Sequence, residues 1–116
     1  MIEALEEAKK SYNINNTPVG AVLVRNNVII SRSFNDLNNA IGHAEILCIN
    51  KGCKFLQTKY LSDCELFITL EPCDMCYNAI LLSKIKKVFF GSFARDTFYV
   101  EKDLNLKKKQ FYGGFF

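Results

Sequence analysis

The sequence contains one histidine, His43, within His43-Ala44-Glu45, and one close cysteine pair, Cys73 and Cys76, within Leu70-Glu71-Pro72-Cys73-Asp74-Met75-Cys76. A lone histidine is ordinarily a hydrogen-bonded structural residue. Beside a Cys-x-x-Cys pair it completes a set of one nitrogen and two sulfurs, which suits zinc held by three protein ligands with a fourth position open. A structural zinc site closes with four ligands. Cys48, Cys53 and Cys64 are the remaining cysteines, but no second Cys-x-x-Cys exists among them. A redox pair is the competing reading of Cys73 and Cys76. Thioredoxin-like sites face their cysteines with a downstream cis-proline loop, and neither Pro18 nor Pro72 is downstream. Glu45 then sets the chemistry. A zinc-bound water ionises near pH 7, and a carboxylate two residues from the histidine can take its proton, deliver it to a ring nitrogen and help an amine leave. Those parts suit hydrolytic deamination of an aromatic amidine.

The elements that position these residues follow from local pattern. Ile2, Leu5, Ala8 and Tyr12 recur at helical spacing opposite Glu6, Glu7, Lys9 and Lys10, so an amphipathic helix ends near residues 13–16. Residues 19–24 and 28–31 are β-branched runs around Asn26-Asn27, which reads as a hairpin. Residues 33–42 are rich in Asn and Asp and read as a loop. A helix is predicted from about His43 to about Asn50, with Gly52 as its stop. Strands are predicted at 66–70 and 87–91, with a helix over 72–83 between them. Pro72 suits a first helical position, where the N–H has no partner in any case. Cys73 and Cys76 then share one side of the first turn, where a helix N-terminus favours thiolates. The strand–helix–strand unit implies parallel strands in a mixed sheet with helices on both faces.

The chain has 116 residues, which favours one domain with one core. Its segment MIEALEEAKK carries acidic groups and no apolar core, so it does not read as a secretory signal. No apolar run reaches the roughly 18 residues of a membrane span. A cytoplasmic home without disulfides is expected. The net charge of +3 is unevenly spread: residues 1–83 hold 7 basic and 9 acidic side chains, residues 84–116 hold 8 and 3. Lys84, Lys86, Lys87 and Lys107 to Lys109 are either a solvated, charged end or a surface for phosphates.

Beyond these motifs, the segments EALEEAKKSY, TPVGAVLVRNNVIISRSFND, GHAEI, LFITLEPCDMCYNAILLSKIKKVFFG and ARD resemble the bacterial tRNA-specific adenosine deaminases of the cytidine deaminase-like superfamily, over most of residues 3–96. The H-x-E and P-C-x-x-C signature is that of the zinc nucleobase deaminases. The resemblance implies a single deaminase domain over 1–116, folded as a three-layer α/β/α sandwich on a mixed sheet of about five strands. It implies one zinc on His43, Cys73 and Cys76, with Glu45 as proton shuttle. Asn35 and the Ala44 backbone are expected to hold the target base, with Arg95 and Asp96 near the RNA. The implied reaction converts adenosine to inosine at the wobble position of a tRNA anticodon arm, in a homodimer, with residues 72–83 (Met75, Ala79, Leu82) as a candidate pairing face.

The chain departs from the family pattern at three places. FGSFARDTFYV stands where FGARDxKTG is usual. NNAIGHAEI replaces a proline- and threonine-bearing approach to the histidine. After a similar Tyr-Gly-Gly the family goes on into a C-terminal helix, which is expected to be missing after QFYGGFF. Two other functions share the motifs: deamination of a small substrate (cytosine, guanine, a deoxycytidine nucleotide or a riboflavin-pathway pyrimidine), and a non-catalytic zinc-containing RNA-binding subunit. The presence of Glu45 speaks against the second.

Overall fold

The computed structural model describes residues 1–14, 16–36, 38–93 and 110–116. Its elements run α1 (Ile2–Asn13), β1 (Gly20–Arg25), β2 (Val28–Phe34), α2 (Ala44–Leu56), β3 (Glu65–Leu70), α3 (Asp74–Leu82), β4 (Lys87–Ser92) and β5 (Phe111–Tyr112). The five strands form one sheet in the order β2-β1-β3-β4-β5. β1 is antiparallel to both β2 and β3, while β3–β4 and β4–β5 are parallel. The expected mixed sheet of the cytidine deaminase-like fold is therefore present. Among the described residues no α-helix follows α3.

The hairpin turns on Asn26 and Asn27, both at positive φ (52° and 63°). A two-residue turn of that kind matches the right-handed twist of the strands, and asparagine tolerates its backbone. β2 continues three residues beyond the run read from sequence, because Arg32, Ser33 and Phe34 pair with Val22, Ala21 and Gly20.

The sheet's two faces are filled differently. Ala21, Leu23, Leu66, Ile68, Val88 and Phe90 point to one side and join Ala44, Cys48 and Ile49 of α2 and Ile80 of α3 in the main core. Alternation of side chains along each strand puts Val22, Phe67 and Phe89 on the other side, toward α1. There a Cβ on Gly20 would collide with the Ala4 carbonyl oxygen, so glycine lets α1 approach the sheet. Glu7 of α1 is buried on this side, where its Oε2 accepts from Arg32 Nε (2.8 Å) and Lys10 Nζ (2.7 Å).

Two expectations about helix ends are corrected. Gly52 does not stop α2; it lies inside the helix, which ends at Gln57 in the left-handed conformation (φ 52°, ψ 46°). A Cβ on Gly52 would collide with Leu23 Cδ2, so the glycine serves close helix–sheet packing. Pro72 is not the first helical residue either. Cys73 is the extended N-cap of α3 (φ −69°, ψ 175°), and Asp74 opens the helix. Proline disfavours helical backbone at the residue before it, and Glu71 accordingly continues the strand geometry, its N–H donating to Ser92 O at 2.8 Å. The ring thus separates the end of β3 from the start of α3. No described helix is long and apolar enough to cross a membrane.

Candidate metal centre

Two helix starts, those of α2 and α3, meet near the carboxyl end of β3. His43 is the extended N-cap of α2, and Cys73 is the N-cap of α3, with Cys76 in its first turn. His43 Nδ1 lies 3.6 Å from Cys73 Sγ and 3.6 Å from Cys76 Sγ. All three ligand atoms fall within 4.8 Å of one another. Tetrahedral zinc with ordinary Zn–N and Zn–S bonds requires ligand atoms roughly 3.5–3.8 Å apart. The donor chemistry and the two nitrogen–sulfur separations therefore fit zinc. Cys48, Cys53 and Cys64 take no part in the cluster. Cys48 is buried against Ser31, whose Oγ donates to the Cys48 carbonyl at 2.8 Å, and Cys64 belongs to the core.

The electrostatics favour one thiolate already in place. A hydrogen bond from Cys76, helped by His43, draws the Cys73 thiol down to about 5. Cys76, next to that thiolate and buried, is pushed up and keeps its proton until a cation displaces it.

Glu45 lies in the first turn of α2 and is 4% exposed. Burial pushes its carboxyl up to about 7, and the neighbouring Cys73 adds to the rise. Its Oε1 is buried and has no hydrogen-bond partner among the described residues. A buried carboxyl oxygen without a partner is costly, so it marks a position where a further polar group is to be received. The two-residue spacing from His43 places it beside the metal ligands without making it one of them.

Asn35 lies in the loop after β2 and is buried. Its Oδ1 accepts the Ala44 N–H at 2.7 Å. Its own N–H donates to Val19 O (3.0 Å). Its carbonyl accepts from Ser11 Oγ (2.8 Å) and Asn16 Nδ2 (3.3 Å). The structure thus brings His43, Ala44, Glu45, Asn35, Cys73 and Cys76 together, with the Ala44 N–H engaged by Asn35. Arg95 and Asp96 lie outside the described residues, as do Lys107 to Lys109. Reasoning from motifs missed Ser11. Its signal was present: Ala4, Ala8 and Ser11 form a small-residue stripe at helical spacing, and a serine on such a face needs a buried acceptor.

The family model of the cytidine and deoxycytidylate deaminase zinc-binding region matches residues 1–92. A tRNA-specific adenosine deaminase of Rickettsia bellii (strain RML369-C) is 46% identical over 97 residues, covering 79% of this chain and 67% of that protein. A tRNA-specific adenosine deaminase of Bacillus subtilis (strain 168) is 47% identical over 96 residues, covering 80% of this chain and 60% of that protein. This chain therefore spans 60–67% of the length of these two curated relatives. A solved structure from a study of A-to-I editing by tRNA:A34 deaminases at the wobble position of transfer RNA is 33% identical. It superposes with a TM-score of 0.88 and covers 98% of this chain and 95% of that chain.

Proposed function

This chain belongs to the cytidine and deoxycytidylate deaminase zinc-binding family, and from that premise we propose that it hydrolyses adenosine to inosine at the wobble position of a tRNA anticodon. The observation that carries the reading is the buried Glu45 carboxyl, with one oxygen unpartnered, beside the His43, Cys73 and Cys76 donor set. The choice of adenosine in tRNA over a small substrate rests on the identity to tRNA-specific adenosine deaminases.

Zinc held by His43, Cys73 and Cys76 supplies a Lewis acid able to ionise water near neutral pH. The chain's own residues do the rest. Glu45 takes a proton at its carboxylate, hands it to the ring nitrogen next to the amine-bearing carbon, and then helps the amine depart as ammonia. A carboxyl near 7 is matched to this task, since both its protonation states are accessible at neutral pH. Water adds one oxygen to the purine, and the balance is inosine plus ammonia. Asn35 orients the base beside Ala44. The adenosine must leave its stack to reach so buried a carboxyl, and a single-stranded anticodon loop allows that.

Phosphate contacts fall to the basic end of the chain, where Lys84 and Lys86 are exposed, with Lys87, Arg95 and Lys107 to Lys109 as further cations for them and Asp96 near the RNA. The working form is a cytoplasmic homodimer. Leu82 of α3 and Phe55 of α2 are each largely exposed apolar side chains that a second copy would cover.

The deciding experiment incubates zinc-loaded protein with unmodified tRNA and with free nucleosides and bases. Inosine at the wobble position of tRNA is expected, with binding that weakens as salt rises. Salt-insensitive deamination of a small substrate, with tRNA left unchanged, would replace this reading with that of a small-molecule deaminase. Light scattering at working concentration checks the dimer, and a monomer mass would exclude it.

A further inference from the structure

Ser11 lies in the last turn of α1, on the helix face that also buries Ala4, Glu7 and Ala8. A buried serine must find a partner for its hydroxyl. Within a helix it ordinarily turns back to a carbonyl of the preceding turn. This one reaches out of the helix instead. Its Oγ lies 2.8 Å from Asn35 O, across 24 residues of sequence, and 2.9 Å from Thr17 O.

One hydroxyl carries one proton for these two acceptors. Thr17 O already accepts the Val19 N–H at 2.9 Å. Asn35 O has as its other side-chain donor the half-buried Asn16 amide, at the longer distance of 3.3 Å. The Ser11 proton therefore serves Asn35 O.

Asn35 is then held at three atoms. Its N–H donates to Val19 O (3.0 Å), its carbonyl accepts from Ser11, and its Oδ1 accepts the Ala44 N–H at 2.7 Å. With the backbone tied on both sides, the side chain turns about a fixed point. Ala44 stands between His43 and Glu45, so a shift of Asn35 moves the start of α2 with it. A misplacement of about 1 Å that arises away from the chemistry can cost a reaction about a hundredfold.

We propose that Ser11 is a positioning residue for the deamination: its hydroxyl fixes the Asn35 backbone, and Asn35 then aims the base and the Glu45 carboxyl at each other. The inference rests on the reading above of Asn35 as the group that orients the base. Ser11 is fully buried and acts only through Asn35.

Ser11→Ala isolates the hydroxyl. Alanine is the better helix former, so α1 is not weakened. Thr17 O keeps the Val19 N–H and Asn35 O keeps Asn16 Nδ2, so neither carbonyl loses its last donor. The test compares zinc-loaded Ser11→Ala with the unaltered chain, using unmodified tRNA with adenosine at the wobble position. The variant should hold full zinc, show kcat lowered about tenfold and leave KM nearly unchanged. Amide hydrogen exchange should quicken at Ala44 and stay as it was in β3 and β4, since only the cap on α2 is loosened. Ser11→Cys, a weaker donor, should fall between the two, and it carries the same comparison if Ser11→Ala does not fold.

An unchanged kcat, or a lowered kcat with unchanged exchange at Ala44, overturns the positioning role while leaving the deaminase reading intact. Exchange that quickens equally in α1, β3 and β4 makes Ser11 a packing residue and overturns the role as well. Failure of the unaltered chain to form inosine overturns the deaminase reading and the role of Ser11 with it.

Discussion

The Oδ1 of Asn35 accepts the backbone N–H of Ala44 at 2.7 Å, across nine residues of sequence. The first N–H groups of a helix lack partners within it. His43, the N-cap of α2, supplies no side-chain bond to them. Asn35 therefore caps α2 from outside and fixes the segment that carries His43 on one side of Ala44 and Glu45 on the other. Ser11 and Asn16 hold Asn35 through its carbonyl, so the aim of the metal ligand and of the carboxyl depends on the end of α1.

Asn35→Ala removes that cap and leaves the Ala44 N–H buried without an acceptor. The cost should be about 1–3 kcal/mol. Thermal unfolding of the zinc-free variant should begin several degrees lower, and turnover should fall as well. An unchanged melting temperature would mean that the Asn35–Ala44 bond contributes nothing to holding α2.

Zinc should depend on all three ligands, and its uptake should release protons. Cys76 keeps its proton in the metal-free chain, held up by Cys73 and by burial, so a metal must displace it. Affinity should rise with pH, and more steeply below about 5, where Cys73 also protonates. Cys73→Ala and Cys76→Ala should purify without stoichiometric zinc. Elemental analysis and titration of zinc into a weakly buffered solution measure both effects; a full complement of zinc in either variant excludes this ligand set.

What the sequence showed and what it hid divides along a physical line. His43, Glu45, Cys73 and Cys76 were legible because each pair is local, and the donor types restrict the metal before any fold is known. The hairpin at Asn26-Asn27 was legible because its turn demands positive φ at both residues. Gly52 was misread because a glycine that stops a helix and a glycine that admits a neighbouring Leu23 look alike in one dimension. The end of β2 was missed because Arg32 and Ser33 break the apolar alternation, and Arg32 is there to meet Glu7 from another element. The capping role of Asn35 was hidden for the same reason: its partners, Ser11, Asn16, Val19 and Ala44, converge only in three dimensions. The likeness to known deaminases supplied Asn35 as a substrate contact but not as a cap.

The buried Glu7 should make the fold acid-sensitive. Burial alone would raise its carboxyl, but hydrogen bonds and charges from Lys10 and Arg32 hold it below its ordinary 4.5. A carboxylate lowered in the folded state stabilises above its unfolded value, and that contribution is lost as pH falls through the folded one. Glu7→Gln, which cannot ionise, should be less stable than the unaltered chain by about 1–3 kcal/mol at neutral pH. The gap should narrow below about pH 4.5. Urea unfolding of both chains in a chelator, at neutral and acid pH, measures it; a gap that stays constant with pH would remove Glu7 as the cause.

Glu45→Gln should separate metal binding from catalysis. The side chain is isosteric and is not among the three ligand atoms that cluster, so zinc content should match the unaltered chain. The amide cannot carry a proton from water to the ring nitrogen, and loss of a general acid–base group typically costs on the order of 100- to 10,000-fold in rate. Replacing a buried carboxyl raised to about 7 by a neutral amide also removes the cost of burying its charge. The variant should therefore be at least as stable as the unaltered chain at alkaline pH, where Glu45 would be ionised. Stability that does not fall, full zinc and turnover reduced at least a hundredfold would together identify Glu45 as the proton carrier. Near-normal inosine formation by Glu45→Gln, or zinc lost along with activity, would assign the proton transfer to another group or make Glu45 a ligand.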